Sequence, residues 1–180
     1  MVYKKTTIPW ASEEVWGQTV LSISKVISVI SAHSSLRGEA AGMQALVQQI
    51  VQSYAEIEMV LDRICITSCP TCPDVCCSRA TVWYDLKDLL VIYLKTDAFP
   101  KEQIYRLPDN SCCNLTPSGC RLPRFERPFI CTWYICPEQN KVLKEFSGGD
   151  EGVDIFLAID VIKKTRKDLE QAYIEASFGC

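Results

Sequence analysis

Two runs of apolar residues, spaced alternately four and three apart, dominate the first third of the chain. Trp16, Val20, Ile23, Ile27 and Ile30 make up the first; Met43, Val47, Ile50, Tyr54, Ile57, Leu61 and Ile64 make up the second. Positions three and four apart share one face of an α-helix, so each run predicts a helix with an apolar stripe. Ser12 is the predicted N-cap of the first helix, with Glu13 and Glu14 in the first turn, where the helix dipole favours negative charge. That helix is expected to end in the polar segment 33–37, and the second to run over 39–64. A short connection lets the stripes face each other as an antiparallel hairpin over 12–64. The stripes could serve core packing or dimerisation. Core packing is the expectation, because they are short and a later helix is available to cover them.

Past residue 64 the pattern shortens. Val82, Tyr84, Leu86, Leu89, Leu90 and Tyr93 predict an extended piece over 80–84 and a helix over 85–95, with Asp85 and Asp88 as a helix-start capping pair. Pro100 and Pro108 mark a loop over 96–110. Pro117-Ser118-Gly119 predicts a tight turn in which Gly119 takes a positive φ, bringing Cys113 and Cys120 together. Arg127-Pro128 starts a helical turn holding Cys131 and Cys136, and 137–141 reads as a polar lead-out. Ser147-Gly148-Gly149-Asp150 breaks the chain before a last helix over 150–176, whose buried face is Ile155, Ala158, Ile162, Leu169, Ala172 and Ala176. The expected fold is mainly α, one domain over 1–180. Its N-terminal helical hairpin and C-terminal helix pack around a cysteine-rich metal-binding module over 65–137 with short strands.

Composition narrows the function. The chain has 180 residues, 48% of them apolar, and a net charge of −3, which gives no general attraction to nucleic acid. Lys163, Lys164, Arg166 and Lys167 form a basic run, expected to be a solvated helix face. The apolar run 20–30 is interrupted by Ser22, Ser24, Lys25 and Ser28 and reads as too short to span a membrane; the N-terminus lacks the layout of a signal peptide. The expected location is therefore the cytoplasm, with no nucleic-acid or membrane partner.

The cysteines carry the chemistry. Ten of 11 fall between Cys65 and Cys136. In a reducing compartment structural disulfides are rare, an odd count leaves pairing incomplete, and Cys-x-x-Cys spacing lets two sulfurs reach one ion. Pro70 and Pro73 restrict the loop around Cys69 and Cys72. Metal is the expected role. Cys76 and Cys77 are adjacent, and in an extended segment their sulfurs point apart, which suits two sites or a polynuclear cluster.

The order Cys69, Cys72, Cys76, Cys77, then Cys113, Gly119-Cys120, Arg127-Pro128-Phe129-Ile130-Cys131 and Cys136 resembles the YkgJ-type cysteine-cluster family of zinc- or iron-chelating domains. The resemblance covers residues 65–137. Two departures are visible: three residues separate Cys72 from Cys76 rather than two, and Arg121-Leu122-Pro123 follows Gly119-Cys120 where the family often has Ile-Tyr. Neither removes a ligand. The resemblance implies metal ligation by those eight cysteines and leaves zinc and an iron–sulfur cluster as alternative cofactors.

Cys65, Cys112 and Cys180 fall outside the eight. Cys65 extends the seam at Leu61, and Pro70 argues against helix continuation past Cys69, so Cys65 reads as a small buried apolar residue. Asp74 is expected to bond nearby backbone N–H groups or to act as a carboxylate ligand. Arg79, Arg121, Arg124 and Arg127 either offset the anionic cluster or are ordinary surface arginines. Asn114-Leu115-Thr116 matches a glycosylation acceptor, which has no meaning in a cytoplasmic chain. The only histidine, His33, is expected to be an exposed structural residue, and no catalytic residues are assigned. Besides the metal ion, a protein partner or a second copy remain open as partners. An iron–sulfur protein in redox chemistry and a cluster-dependent enzyme are the alternative functions.

Overall fold

A computed structural model describes residues 12–72, 75–117, 119–146 and 154–178. The expected tail over 1–11, Asp74, the break at 147–150 and Cys180 lie outside them. The described chain is mainly helical. Its α-helices are α1 (Glu13–Ala32), α2 (Arg37–Ser68), α3 (Cys76–Arg79), α4 (Leu86–Thr96), α5 (Ile130–Trp133), α6 (Pro137–Phe146) and α7 (Ile155–Phe178). Two short strands, β1 (Leu115–Thr116) and β2 (Gly119–Cys120), pair antiparallel with Leu115 opposite Cys120.

The apolar stripes become the core. Ser12 caps α1 through its hydroxyl, which accepts from Val15 N at 3.2 Å. Trp16, Ile23, Ile27 and Ile30 of α1 are buried, as are all seven positions of the α2 stripe. A single 3-10 turn, Ser34–Leu36, reverses the chain between them. The main partner of α2 is nevertheless α7 rather than α1, with α4 packing against both. With 32 residues, α2 is about 48 Å long at the usual helical rise, enough to support α1 at one end and the cysteine region at the other. Of α7's expected buried face, Ile155, Ala158, Ile162, Leu169 and Ala176 are buried and Ala172 is half-buried.

Several expectations need correction. The second helix runs past residue 64 to Ser68, where the α-helix ends just before Cys69 as Pro70 implies, and the chain passes into a 3-10 turn, Cys69–Thr71. Proline is tolerated there because the first turn of a new helical segment has no N–H bond to lose. The 80–84 segment lies outside any helix, as expected of an extended piece, but pairs with no strand. Its neighbour is a side chain: the buried Gln103 carboxamide accepts from Tyr84 N at 2.6 Å and donates to Tyr84 O at 3.2 Å, as an adjacent strand would. Residues 137–141 are not a lead-out but the start of α6. The 20-residue α1 is long and apolar enough to cross a membrane, with mean hydropathy 1.3 over its most apolar window, so the length argument over 20–30 alone understated it. Its stripe of Trp16, Ile23, Ile27 and Ile30 packs inside the protein.

The basic run on α7 is divided. Lys163, Lys164 and Lys167 are exposed, but Arg166 is buried. Its guanidinium meets Asp85 at 3.0 Å and Asp88 at 2.8 Å and lies 4.8 Å from the centre of the Phe129 ring. Asp85 and Asp88 form the expected capping box at the start of α4. Asp88 also accepts from Phe129 N at 3.0 Å, so a helix cap on α4 holds the turn that leads to Cys131.

Candidate metal centre

Four elements converge on the cysteine region. The end of α2 and its 3-10 turn deliver Cys65, Cys69 and Cys72. Cys76 and Cys77 open α3, Cys112 and Cys113 precede the β1–β2 hairpin and Cys120 lies in β2, and Cys131 and Cys136 lie in and after α5. All ten of these cysteines are free thiols. Nine are half-buried. Cys131 is exposed, yet the protein massed around it still pushes its thiol up to about 12 by desolvation.

Backbone bonds tie the segments together. Cys112 N donates to Cys77 O at 2.8 Å, Leu115 N donates to Cys112 O at 2.9 Å, and Arg121 N donates to Asn114 O at 3.0 Å. The hairpin turn has the expected glycine, with Gly119 at φ 109°. A β-carbon there would face a conformation that L-residues rarely adopt. Arg106 was not singled out from the sequence. Its guanidinium donates to the carbonyls of Cys77 and Ala80, and to Asn110 O at 2.7 Å, so it fixes α3 against the hairpin region. A lone arginine in a loop gives no pattern that would have exposed this role. Asn114 is buried, and its side-chain oxygen accepts from Arg121 Nε at 2.8 Å, so the glycosylation pattern is turned inward.

The thiols interact mainly in pairs. Cys65 and Cys69, one helical turn apart, act on each other, so that Cys65 is raised and Cys69 lowered to about 7. Cys112 and Cys113 do the same, with Cys112 lowered to about 6 and Cys113 raised. Cys76 is raised, chiefly by burial and then by Cys136. Cys77 is pushed up to about 11, chiefly by burial and then by Cys112 and Cys120. Among the described residues, no three Cys, His, Asp or Glu side chains stand together in a group that could hold a metal ion. The donor chemistry nevertheless suits a thiophilic metal: ten sulfurs lie in one region, and the exposed His33 bonds Ser35 Oγ at 2.9 Å outside it.

Cys76 and Cys77 sit at the start of a helix, so the extended-segment argument for their divergence does not apply. Successive helical side chains point about 100° apart instead. Cys136 and Cys72 act on Cys76, whereas Cys112, Cys120, Cys76 and Cys65 act on Cys77. Cys65 also departs from expectation. It is half-buried rather than buried in the seam, and its sulfur accepts from Gln139 Nε2 at 3.2 Å.

Three of the four candidate arginines bear on the thiols. Arg124 and Arg127 lower Cys65, and Arg121 lowers both Cys112 and Cys113. Arg124 is buried and paired with Asp62 of α2, which Arg127 also approaches at 3.5 Å. Arg79 is exposed.

No family model matches the chain, and no curated protein or solved structure does either. The resemblance to the YkgJ-type family therefore rests on the cysteine spacing and its Gly-Cys and Arg-Pro landmarks.

Proposed function

We propose that this protein binds metal through its cysteine cluster, with zinc in a structural role within a binding module. The observation that carries this reading is the gathering of ten free thiols from residues 65–136 against one end of a helical scaffold. Thiolates are the ligands of soft and borderline metals, and a site closed by four of them leaves no open position for substrate, as in structural zinc sites. Nearby arginine charge supports it, because four thiolates on one Zn²⁺ leave a net charge of about −2 that needs an answer. The eight motif cysteines, Cys69, Cys72, Cys76, Cys77, Cys113, Cys120, Cys131 and Cys136, are the starting set of ligands.

Cysteine-only ligation also serves iron–sulfur clusters, which would make the protein a redox carrier. One experiment separates the two. Protein purified without oxygen is analysed for metal and for visible absorption. Bound zinc with no colour is the expected result. A brown protein with iron and acid-labile sulfide would replace zinc with the redox reading. A protein that carries no metal and takes up none on reconstitution would end both.

A further inference from the structure

The chain between α3 and α4 is an edge with one side closed. Residues 80–84 read Ala-Thr-Val-Trp-Tyr, uncharged and rich in the β-branched and aromatic side chains that favour strands. Ala80 has extended dihedrals, φ −69° and ψ 129°, and so has Asp85, φ −88° and ψ 176°. Exposure alternates as on a strand: Val82 and Tyr84 turn toward the core, Thr81 and Trp83 toward solvent, with Trp83 43% exposed. In extended backbone the N–H and C=O of one residue point to the same side, and those of the next residue to the other. The even-numbered residues are served from within the protein. Gln103 bonds both backbone groups of Tyr84, and the Arg106 guanidinium donates to Ala80 O. The odd-numbered ones are not: among the described residues, the N–H and C=O of Thr81 and Trp83 have no partner.

We propose that a second copy of this chain pairs along this edge, antiparallel and two-fold symmetric about Val82. In that register Thr81 of one copy stands opposite Trp83 of the other. Each such pair exchanges two backbone hydrogen bonds, so the two pairs use every open N–H and C=O of both edges. On the outer face a β-branched side chain then lies beside an aromatic one, a favourable cross-strand pair. Charge selects the same centre. Symmetry about Val82 sets Arg79, exposed at the end of α3, opposite Asp85 of the other copy, once at each end of the strand. Asp85 already meets Arg166 and Lys87 but keeps 36% of its side chain exposed. Proteins usually guard an open edge with charge or proline inside it. Here the charges stand at its two ends and are of opposite sign, which favours a two-fold partner over random pairing. A five-residue edge spans about 17 Å and buries less than the ~800 Å² per partner of a standard interface, so the dimer forms as concentration rises.

The full chain, kept reduced and free of oxygen so that no disulfide links two copies, is followed by sedimentation equilibrium over a concentration series. A monomer–dimer equilibrium is expected. Amide exchange read residue by residue at low and high concentration gives the register: the amides of Thr81 and Trp83 slow as the dimer forms, and that of Val82 does not. Thr81→Pro removes one open N–H from each copy and leaves the bonds of Gln103 and Arg106 in place. The extended dihedrals of Ala80 suit a following proline. Two hydrogen bonds lost per dimer should raise the dissociation constant about tenfold or more. Arg79→Glu sets carboxylates against each other at both ends and weakens the dimer without altering the strand. Circular dichroism checks folding, and Arg79→Glu decides the matter if proline disturbs it. A monomer at every concentration, a dimer that either folded variant leaves at its original strength, or slowed exchange at Val82 in place of Thr81 and Trp83 overturns the proposal.

Discussion

Arg166 is a buried charge held by three contacts: Asp85, Asp88 and the face of Phe129. Desolvation makes such a charge costly unless it is paired, and removing one partner of a buried pair typically costs about 3–5 kcal/mol. Asp88→Ala is therefore expected to lower stability by about that much in urea denaturation. It strips Arg166 of its shortest ion pair, opens the α4 capping box and frees the Phe129 N–H that leads toward Cys131. Loss of less than ~1 kcal/mol would mean that Asp85 alone satisfies the arginine. The capping role of Asp88 could be read from its spacing to Asp85. The ion pair could not, because its partner lies on a helix far along the chain and is brought in only by packing. Cys65 was misread for a related reason. Its place on the helical wheel borders both the seam and the polar stripe, and only the hydrogen bond from Gln139 shows which face it serves.

Among the elements, long periodic helices were legible and short ones were not. Seven seam positions in α2 specify one face unambiguously, and each is buried. Ile57 is 0% exposed, so Ile57→Ala should cost about 2–5 kcal/mol through lost burial and the cavity left behind. Metal content per folded molecule should be unchanged, since Ile57 belongs to the apolar core and offers no ligand. An unaltered melting temperature would place Ile57 outside the core. By contrast, α6 was hidden because its N-terminus is capped by an unusual residue. Cys136 takes the cap position: Asn140 N donates to its carbonyl at 2.9 Å, and Gln139 returns a bond to its N–H. Cysteine is not among the residues that announce a helix start, although Pro137 and Glu138 then follow the ordinary rules. Gln139→Ala should cost about 1 kcal/mol, as the loss of a cap does, and raise amide exchange in the first turn of α6. Exchange there at the rate of the unaltered chain would show that Gln139 does not hold the helix start.

At the scale of the whole molecule, the apolar core and the cysteine region draw on different forces. The buried cluster runs mainly through α1, α2, α4 and α7, and none of its fully buried members is a cysteine. The cysteine region contributes mostly partly buried residues to it, among them Cys112, Cys113, Leu122, Phe125, Phe129 and Ile135. Its regular structure amounts to short helical turns and a two-residue hairpin, which do not bury enough surface to be stable alone. On the proposed function, bound metal adds to the order of this region, as structural zinc does in small peptides at an apparent ~10–16 kcal/mol. The helical core should then survive metal removal and the cysteine region should not. After verified chelation of anaerobically purified protein, hydrogen exchange should accelerate over 69–136, with α4 the exception because Leu89, Leu90, Val91 and Ile92 belong to the core. Amides of α2 along its seam and of α7 should remain protected. Uniform acceleration across the chain would mean that core and cysteine region fold as one cooperative unit. Unchanged exchange over 112–136 would mean that Arg106, Arg124 and Asp88 alone hold the loops, and that metal contributes nothing to the fold.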